Sequence, residues 1–281
     1  MANSPQPQSA PGSRLSWRRL PWWFELATIL AGYVAYETLR ALSPTRITTA
    51  LHNAHDVITA ERWAHINIEL HVNHALTAHP TLGSLAGLYY GILHFVVTPI
   101  VLIYLWRRRP VDYPRLRSAL VLTSAVALFV FWAWPVAPPR FALAGATDTL
   151  VARHVLGAAN PHGVSGLVDQ YAAMPSLHVG WAVWCAVAIV VTGRSVWRYL
   201  AWLYPLATTL VVIATANHYV LDAAGGALLV LTMLAATGSF GRRLPVPCQT
   251  PRQEQPATIR IAPSAASVTL TETPARARQD A

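Results

Sequence analysis

His218 and Asp222 stand four residues apart in the stretch Thr215-Ala216-Asn217-His218-Tyr219-Val220-Leu221-Asp222, between two strongly apolar runs. On a helix that spacing puts both side chains on one face. A carboxylate that accepts one ring N–H of an imidazole fixes the tautomer and leaves the other nitrogen a lone pair for attack or proton transfer. The same pair serves equally well as a structural tie between helices, because ionisable groups at membrane depth need a partner. A second group of reactive types lies in Met174-Pro175-Ser176-Leu177-His178, where a proline suited to a first helical turn precedes a hydroxyl and an imidazole. A helix start offers free N–H groups and the positive end of a dipole, a cradle for phosphate oxygens to which Ser176 adds a donor. His178 is then placed to protonate a leaving oxygen. The third group is Arg140, at the end of Trp134-Pro135-Val136-Ala137-Pro138-Pro139-Arg140, where prolines stiffen the segment presenting a guanidinium able to grip phosphate or a lipid headgroup.

These residues need elements that bring them together, and composition says which. The chain of 281 residues is 54% hydrophobic and only 12% charged, too apolar for an ordinary soluble domain. A bilayer core of roughly 30 Å takes about 20 helical residues. Six segments reach that length, at 22-42, 82-106, 118-135, 175-193, 196-216 and 218-237, which predicts an all-α, polytopic six-span transmembrane bundle. The joins at Gly193-Arg194-Ser195 and at Asn217 are short, so the last three spans are expected as adjacent antiparallel helices.

The net charge of +9 comes from 21 arginines with no lysine, and their placement sets the orientation. Arg14, Arg18, Arg19, Arg107, Arg108, Arg109, Arg115, Arg117, Arg194, Arg198, Arg242 and Arg243 fall on one side of the six-span arrangement, which the positive-inside rule makes cytoplasmic. Both termini then lie inside, and the segments 43-81 and 136-174 lie outside. No single face collects the arginines, which argues against a nucleic-acid partner. His178, His218 with Asp222, and Arg140 emerge together on the outer face, a convergence that packing alone does not account for.

Residues 1-21 read as a disordered cytoplasmic leader and 244-281 as a disordered cytoplasmic tail, leaving 22-243 as the membrane domain. Segment 43-81 carries His52, His55, His65, His71, His74 and His79 among apolar residues, predicting an amphipathic helix at the outer interface. The histidines fit no zinc-ligand spacing and read as a polar face, so no metal is assigned. Cys185 and Cys248 form no disulfide framework. His94 in the second span is read either as a substrate contact or as an interhelical histidine, and Asn217 as a group that positions headgroup or water. Gly225 and Gly226 are read as permitting close helix packing. Many alanines and an all-arginine basic complement suit a GC-rich bacterial gene, hence a bacterial plasma membrane with an extracytoplasmic site.

At these residues the sequence resembles the type 2 phosphatidic acid phosphatase superfamily, and more closely a branch similar to inositol phosphorylceramide synthase. The resemblance covers roughly residues 82-237. The superfamily's Pro-Ser-Gly-His block reads Pro175-Ser176-Leu177-His178 here, and its Ser-Arg block with His and Asp four apart retains His218 and Asp222 but has Val211 and Val212 where Ser-Arg falls. Leu177, Val211 and Val212 resemble the synthase-like branch. The early Lys and Arg-Pro block has no counterpart in a chain without lysine. Arg109-Pro110 mimics its end from the cytoplasmic side, and Arg140 is the expected substitute.

The resemblance implies that His218 takes the phosphoryl group, that Asp222 orients it, and that His178 protonates the leaving alkoxide; the residues themselves add Arg140, Ser176, Asn217 and His94 as groups expected toward the substrate. It implies no cofactor. The expected partners are a lipid phosphate or phospholipid substrate and the surrounding membrane lipids. Three functions compete: a lipid phosphatase working through phosphohistidine, a headgroup transferase in which an alcohol replaces water, and, from another class, a non-catalytic transporter or scaffold.

Overall fold

Apolar runs of unequal length decide the architecture. The computed structural model describes residues 46–152 and 171–240, together with Trp23, Ala27 and Val34, which are helical. The leader at 1-21, most of the expected span at 22-42, the tail at 244-281 and residues 153–170 of the segment 136-174 lie outside the described residues.

Among the described residues the secondary structure is helical, with one isolated parallel pairing between Val136 and Ala172. Helices α1 (Ile47–Trp63) and α2 (Glu69–Thr77) precede the long α3 (Pro80–Arg108) and α4 (Tyr113–Ala133). Two short turns follow, α5 (Pro139–Ala142) and α6 (Thr149–Ala152). The apolar α7 (Leu177–Thr192) comes next, then a 3₁₀ segment Val196–Trp202 that runs into α8 (Leu203–Ala214), and finally α9 (Val220–Ala236). Proline sets several boundaries. Pro80 opens α3 at a position where its missing N–H costs nothing, and α4 stops at Ala133 because Trp134 precedes Pro135 and is driven out of the helical region.

Three of these elements are long and apolar enough to cross a membrane: α3, α4 and the continuous stretch Val196–Ala214. The chain is a membrane protein. Helices α7 and α9, expected as full spans, are equally apolar but hold 16 and 17 residues. At 1.5 Å per residue that is about 24 to 26 Å, against about 44 Å for α3. The two helices start just after Ser176 and Tyr219, whose backbone N–H groups both go to Asp222 of α9, the first to its carbonyl and the second to its side chain. On α3, Leu85, Leu88, Ile92, Phe95, Val96, Ile100 and Ile103 are exposed at helical spacing, a stripe suited to hydrocarbon, while Ala86, Tyr90, Val101 and Leu105 face the core. Helix α7 is central and packs on α3, α4, α8 and α9. Its Trp184 is fully buried and donates to the Leu116 carbonyl of α4 at 2.8 Å.

The segment 43-81 differs from the single interfacial helix predicted for it. It forms two helices, α1 and α2, joined by a tight turn in which His65 adopts φ 58°. Residues 64–68 break the helical period, and the turn lets both helices lay a buried face on the protein: Asn53, Val57, Ile58 and Glu61 from α1, Glu69 and Asn73 from α2. All six histidines of the segment are exposed, as a polar face requires.

Candidate active site

His218 is held from two directions. Its Nδ1 lies 2.8 Å from the Ala173 carbonyl and 3.5 Å from Oδ2 of Asp222, so both neighbours are acceptors and Nδ1 carries the proton. The lone pair therefore sits on Nε2. The nearer orienting group is the backbone of the loop before Ser176, with the carboxylate second. Asp222 is fully buried, and its Oδ2 also accepts the Tyr219 N–H at 2.9 Å, closing the first turn of α9.

His178 comes from the start of α7. Its ring stacks on Tyr90 of α3 at 4.3 Å with an interplanar angle of 21°, and meets the edge of His94 at 4.3 Å and 70°. The centroids of His178 and His218 are 5.7 Å apart. Four of the residues singled out in the sequence thus share one site: His178, His218, Asp222 and His94. A pocket of about 10 Å³, room for roughly one water, lies beside His178 and His94 between Tyr89, Tyr90, Tyr204 and Thr208.

The local register of α7 and α9 is locked by backbone contact. The Ser176 N–H donates to the Asp222 carbonyl at 2.9 Å, and a Cβ on Gly226 would stand 2.1 Å from the Ser176 carbonyl oxygen. Glycine at 226 is what lets the two helix starts touch. At Gly225 a Cβ would meet only ordinary contacts, the nearest at 3.5 Å, so the packing role foreseen for the pair rests on Gly226. Pro175 does not occupy the first turn of α7. It precedes the cap, joined to Met174 by a cis peptide, and the helix begins at Leu177 with Ser176 as N-cap, its hydroxyl 3.5 Å from the Val179 N–H.

Arg140 reaches the site from α5. Its Nη1 donates to Oδ1 of Asn217, its Nε lies 3.3 Å from Oδ2 of Asp148, and its backbone N–H bonds the Ala216 carbonyl at 3.0 Å. Asn217 completes its own amide with the Thr215 hydroxyl at 2.8 Å, so its side chain holds the guanidinium in place beside His218. Val212, which stands in the expected Ser-Arg position, contributes its carbonyl: it accepts the N–H groups of Asn217 at 3.1 Å and His218 at 3.2 Å. The turn between them includes Ala216 at φ 54°, a left-handed residue that is not glycine, a strain of about 1 kcal/mol held where a site residue is aimed.

Several members of this constellation lie outside the sequence expectations. The Ala173 carbonyl carries no sequence signal. Tyr90 and Asp148 had a weak one, as polar groups close to His94 and Arg140 in the chain. Glu61 and Glu69 had a clear one: Glu61 follows Ala54, Val57 and Ile58 at helical spacing on a face that is otherwise apolar. Among the described residues no group of three or more His, Cys, Asp or Glu is arranged to hold a metal ion.

A family model described as the PAP2 superfamily matches residues 55–236. Neither a curated protein nor a solved structure matches the chain.

Proposed function

The chain belongs to the PAP2 superfamily, and from that premise we propose that it is an integral membrane lipid phosphatase or phosphotransferase working through phosphohistidine at the extracytoplasmic face. The observation that carries this reading is the pair of imidazoles 5.7 Å apart, on two helix starts locked together at Ser176, Asp222 and Gly226.

Nε2 of His218 attacks phosphorus, the bond to the alkoxide oxygen breaks, and His178 gives that oxygen its proton. The Ala173 carbonyl and Asp222 then face Nδ1–H of a positively charged phospho-imidazole, which they stabilise as they orient it. In the second half, water or an alcohol attacks phosphorus, its proton passes to His178, and the N–P bond breaks to restore neutral His218. Phosphoryl transfer depends chiefly on positioning and charge. Arg140 supplies positive charge, the Ser176 hydroxyl and the amides of α7 supply donors, and Asn217 and His94 border the substrate.

The acceptor separates two products of one first step. Leu177, Val211 and Val212 favour the synthase-like branch, and with Val212 in place of arginine a guanidinium comes from Arg140 instead. The arginine asymmetry supports cytoplasmic termini and an extracytoplasmic site in a bacterial plasma membrane. The test assays phosphate release and headgroup transfer together, on a panel of lipid phosphates and phospholipids, for wild type and His218→Ala. The variant is expected to fold and to lose turnover by on the order of 10⁴-fold or more. Free phosphate as the product establishes hydrolysis, and a transferred headgroup establishes the transferase. A folded wild type that yields neither product leaves the transporter or scaffold class.

A further inference from the structure

Two glutamates that the phosphoryl-transfer chemistry does not use lie against the nucleophile's helix. Glu61 of α1 is 0% exposed and Glu69 of α2 is 2% exposed, and the turn at His65 brings them together. Glu69 accepts the Val220 N–H at 3.0 Å, and Glu61 accepts the Leu221 N–H at 2.8 Å. With Asp222 on the Tyr219 N–H, three consecutive N–H groups directly after His218 end on three carboxyl groups from three helices. The arrangement fills the start of α9, where unmatched donors and the dipole favour negative charge.

The second oxygen of Glu61, Oε2, is buried and meets no donor. Two buried carboxylates side by side are costly, and the cost disappears when one proton sits between them. A proton on Glu61 gives it a donor to offer the neighbouring Glu69 carboxylate, the kind of partner its buried Oε2 lacks. Burial pushes the Glu61 carboxyl up to about 8; the Leu221 N–H pulls against this, and the charges of Glu69 and Asp222 add to it. The titratable groups facing Glu61 are Glu69 from α2 and, from α9 and its cap, Asp222 and Tyr219.

We propose that Glu61 and Glu69 are positioning residues for His218: a carboxyl–carboxylate pair sharing one proton, which clamps the first turn of α9 and sets the nucleophile against His178. This rests on His218 being the phosphoryl acceptor. Gln at 61 copies the protonated acid, its carbonyl accepting from Leu221 and its amide donating to Glu69. Ala leaves the Leu221 N–H without a partner.

Because Glu61 is raised in the folded state, it holds its proton there while the unfolded chain has released it. The stability it contributes is complete below its ordinary value of 4.5, drains away as pH rises, and is gone above about 8. Loss of the shared proton within the folded protein, which opens the clamp, centres on about 8.

The test uses the full chain in detergent micelles and two readouts, thermal unfolding against pH without substrate, and phosphate release from phosphatidic acid against pH. Wild type is expected to lose unfolding temperature relative to Glu61→Gln between pH 5 and 8, with the two curves parallel above that. Glu61→Gln is expected to keep pH 7 turnover within about threefold and to lack the alkaline fall of wild type, while Glu61→Ala slows about tenfold or more at every pH. A Glu61→Gln protein that keeps the wild-type slope of unfolding temperature with pH overturns the proposal. So does one that is folded and as slow as Glu61→Ala. A wild type that releases no phosphate from this lipid counts against the phosphatase reading, while the unfolding curves still decide the carboxyl pair.

Discussion

The two ends of the helical bundle are built from different physics. At the end that carries His218, buried polar side chains bond across long sequence separations. Asn53 donates to the Pro135 carbonyl, and Asn73 donates to the carbonyls of Thr147 and Ala214 and accepts the Thr147 N–H. The Tyr219 hydroxyl donates to the Ala137 carbonyl, and the two glutamates hold α9. At the opposite end the bonds are mostly local: Thr192 to the Ala188 carbonyl, Arg198 to Gly193, Thr237 to Met233, with Arg115 to Gly238 as a longer reach at 3.5 Å. Trp197, Tyr199 and Leu200 are exposed there, in a stretch that also carries Arg194 and Arg198. A buried polar group costs free energy unless it is paired, so a network of paired ones fixes a single geometry where apolar packing tolerates several. One end is over-determined in its geometry, and the other is anchored.

Gly226 gives the sharpest way to break that contrast. In Gly226→Ala the new methyl meets the Ser176 backbone carbonyl, which no rotamer change can move aside, so α7 and α9 must separate. Overpacking of this kind costs about 1 to 3 kcal/mol, and a displacement near 1 Å at reacting groups costs on the order of 10²-fold in rate. Gly225→Ala, one residue earlier, is expected to change unfolding temperature little and turnover less than about threefold. Parallel turnover and unfolding assays of the two variants check this. Equal losses at 225 and 226 mean that the helix starts are not set by this contact.

Arg140 comes next in size. Arg140→Lys keeps the charge but cannot satisfy Asn217 and Asp148 at once, since the planar fork is lost. Turnover is expected to fall by roughly tenfold to a hundredfold, and Asn217→Ala is expected to produce a similar fall by releasing the same guanidinium. A double variant no worse than either single one shows that the two act as a unit. Additive losses instead assign Asn217 a contact of its own with substrate.

The same contrast explains how much was legible in the sequence. Helix existence follows from apolar runs: α3, α7 and α9 begin and end within about two residues of the spans 82-106, 175-193 and 218-237, while α4 starts at Tyr113, ahead of the span 118-135. The imidazoles and Asp222 carry their own signal, because a titratable group beside an apolar run needs a reason to be there. What was hidden is what three-dimensional folding assembles. The Ala173 carbonyl that orients His218 belongs to no side chain, and the Val212 carbonyl that holds the Asn217–His218 turn looks in sequence like a lost Ser-Arg block. Asn73 and the glutamates share their segment with six histidines, whose pattern in sequence is that of an interfacial polar face. The exact starts of α7 and α9 depend on contacts between the two helices and with Glu61 and Glu69, which hydropathy does not register.

The smallest effect belongs to the anchored end and tests its character directly. Trp197 is 73% exposed and precedes Arg198, whose guanidinium lies 4.9 Å over the Tyr199 ring while bonding its hydroxyl and the Gly193 carbonyl. An aromatic residue in that setting suits the boundary between lipid and water, where its contribution depends on the solvent more than on neighbouring side chains. Trp197→Ala is therefore expected to change stability in detergent by less than about 0.5 kcal/mol and to leave turnover unchanged. In a bilayer the same variant loses an anchor rather than a packing contact, so turnover in vesicles is expected to match that in micelles once protein content is normalised. A loss of activity comparable to that of Arg140→Lys means that geometry at this end is transmitted along α7 and α8 to His178. In that case the division into an over-determined end and an anchored end fails, because the bundle then moves as one rigid unit.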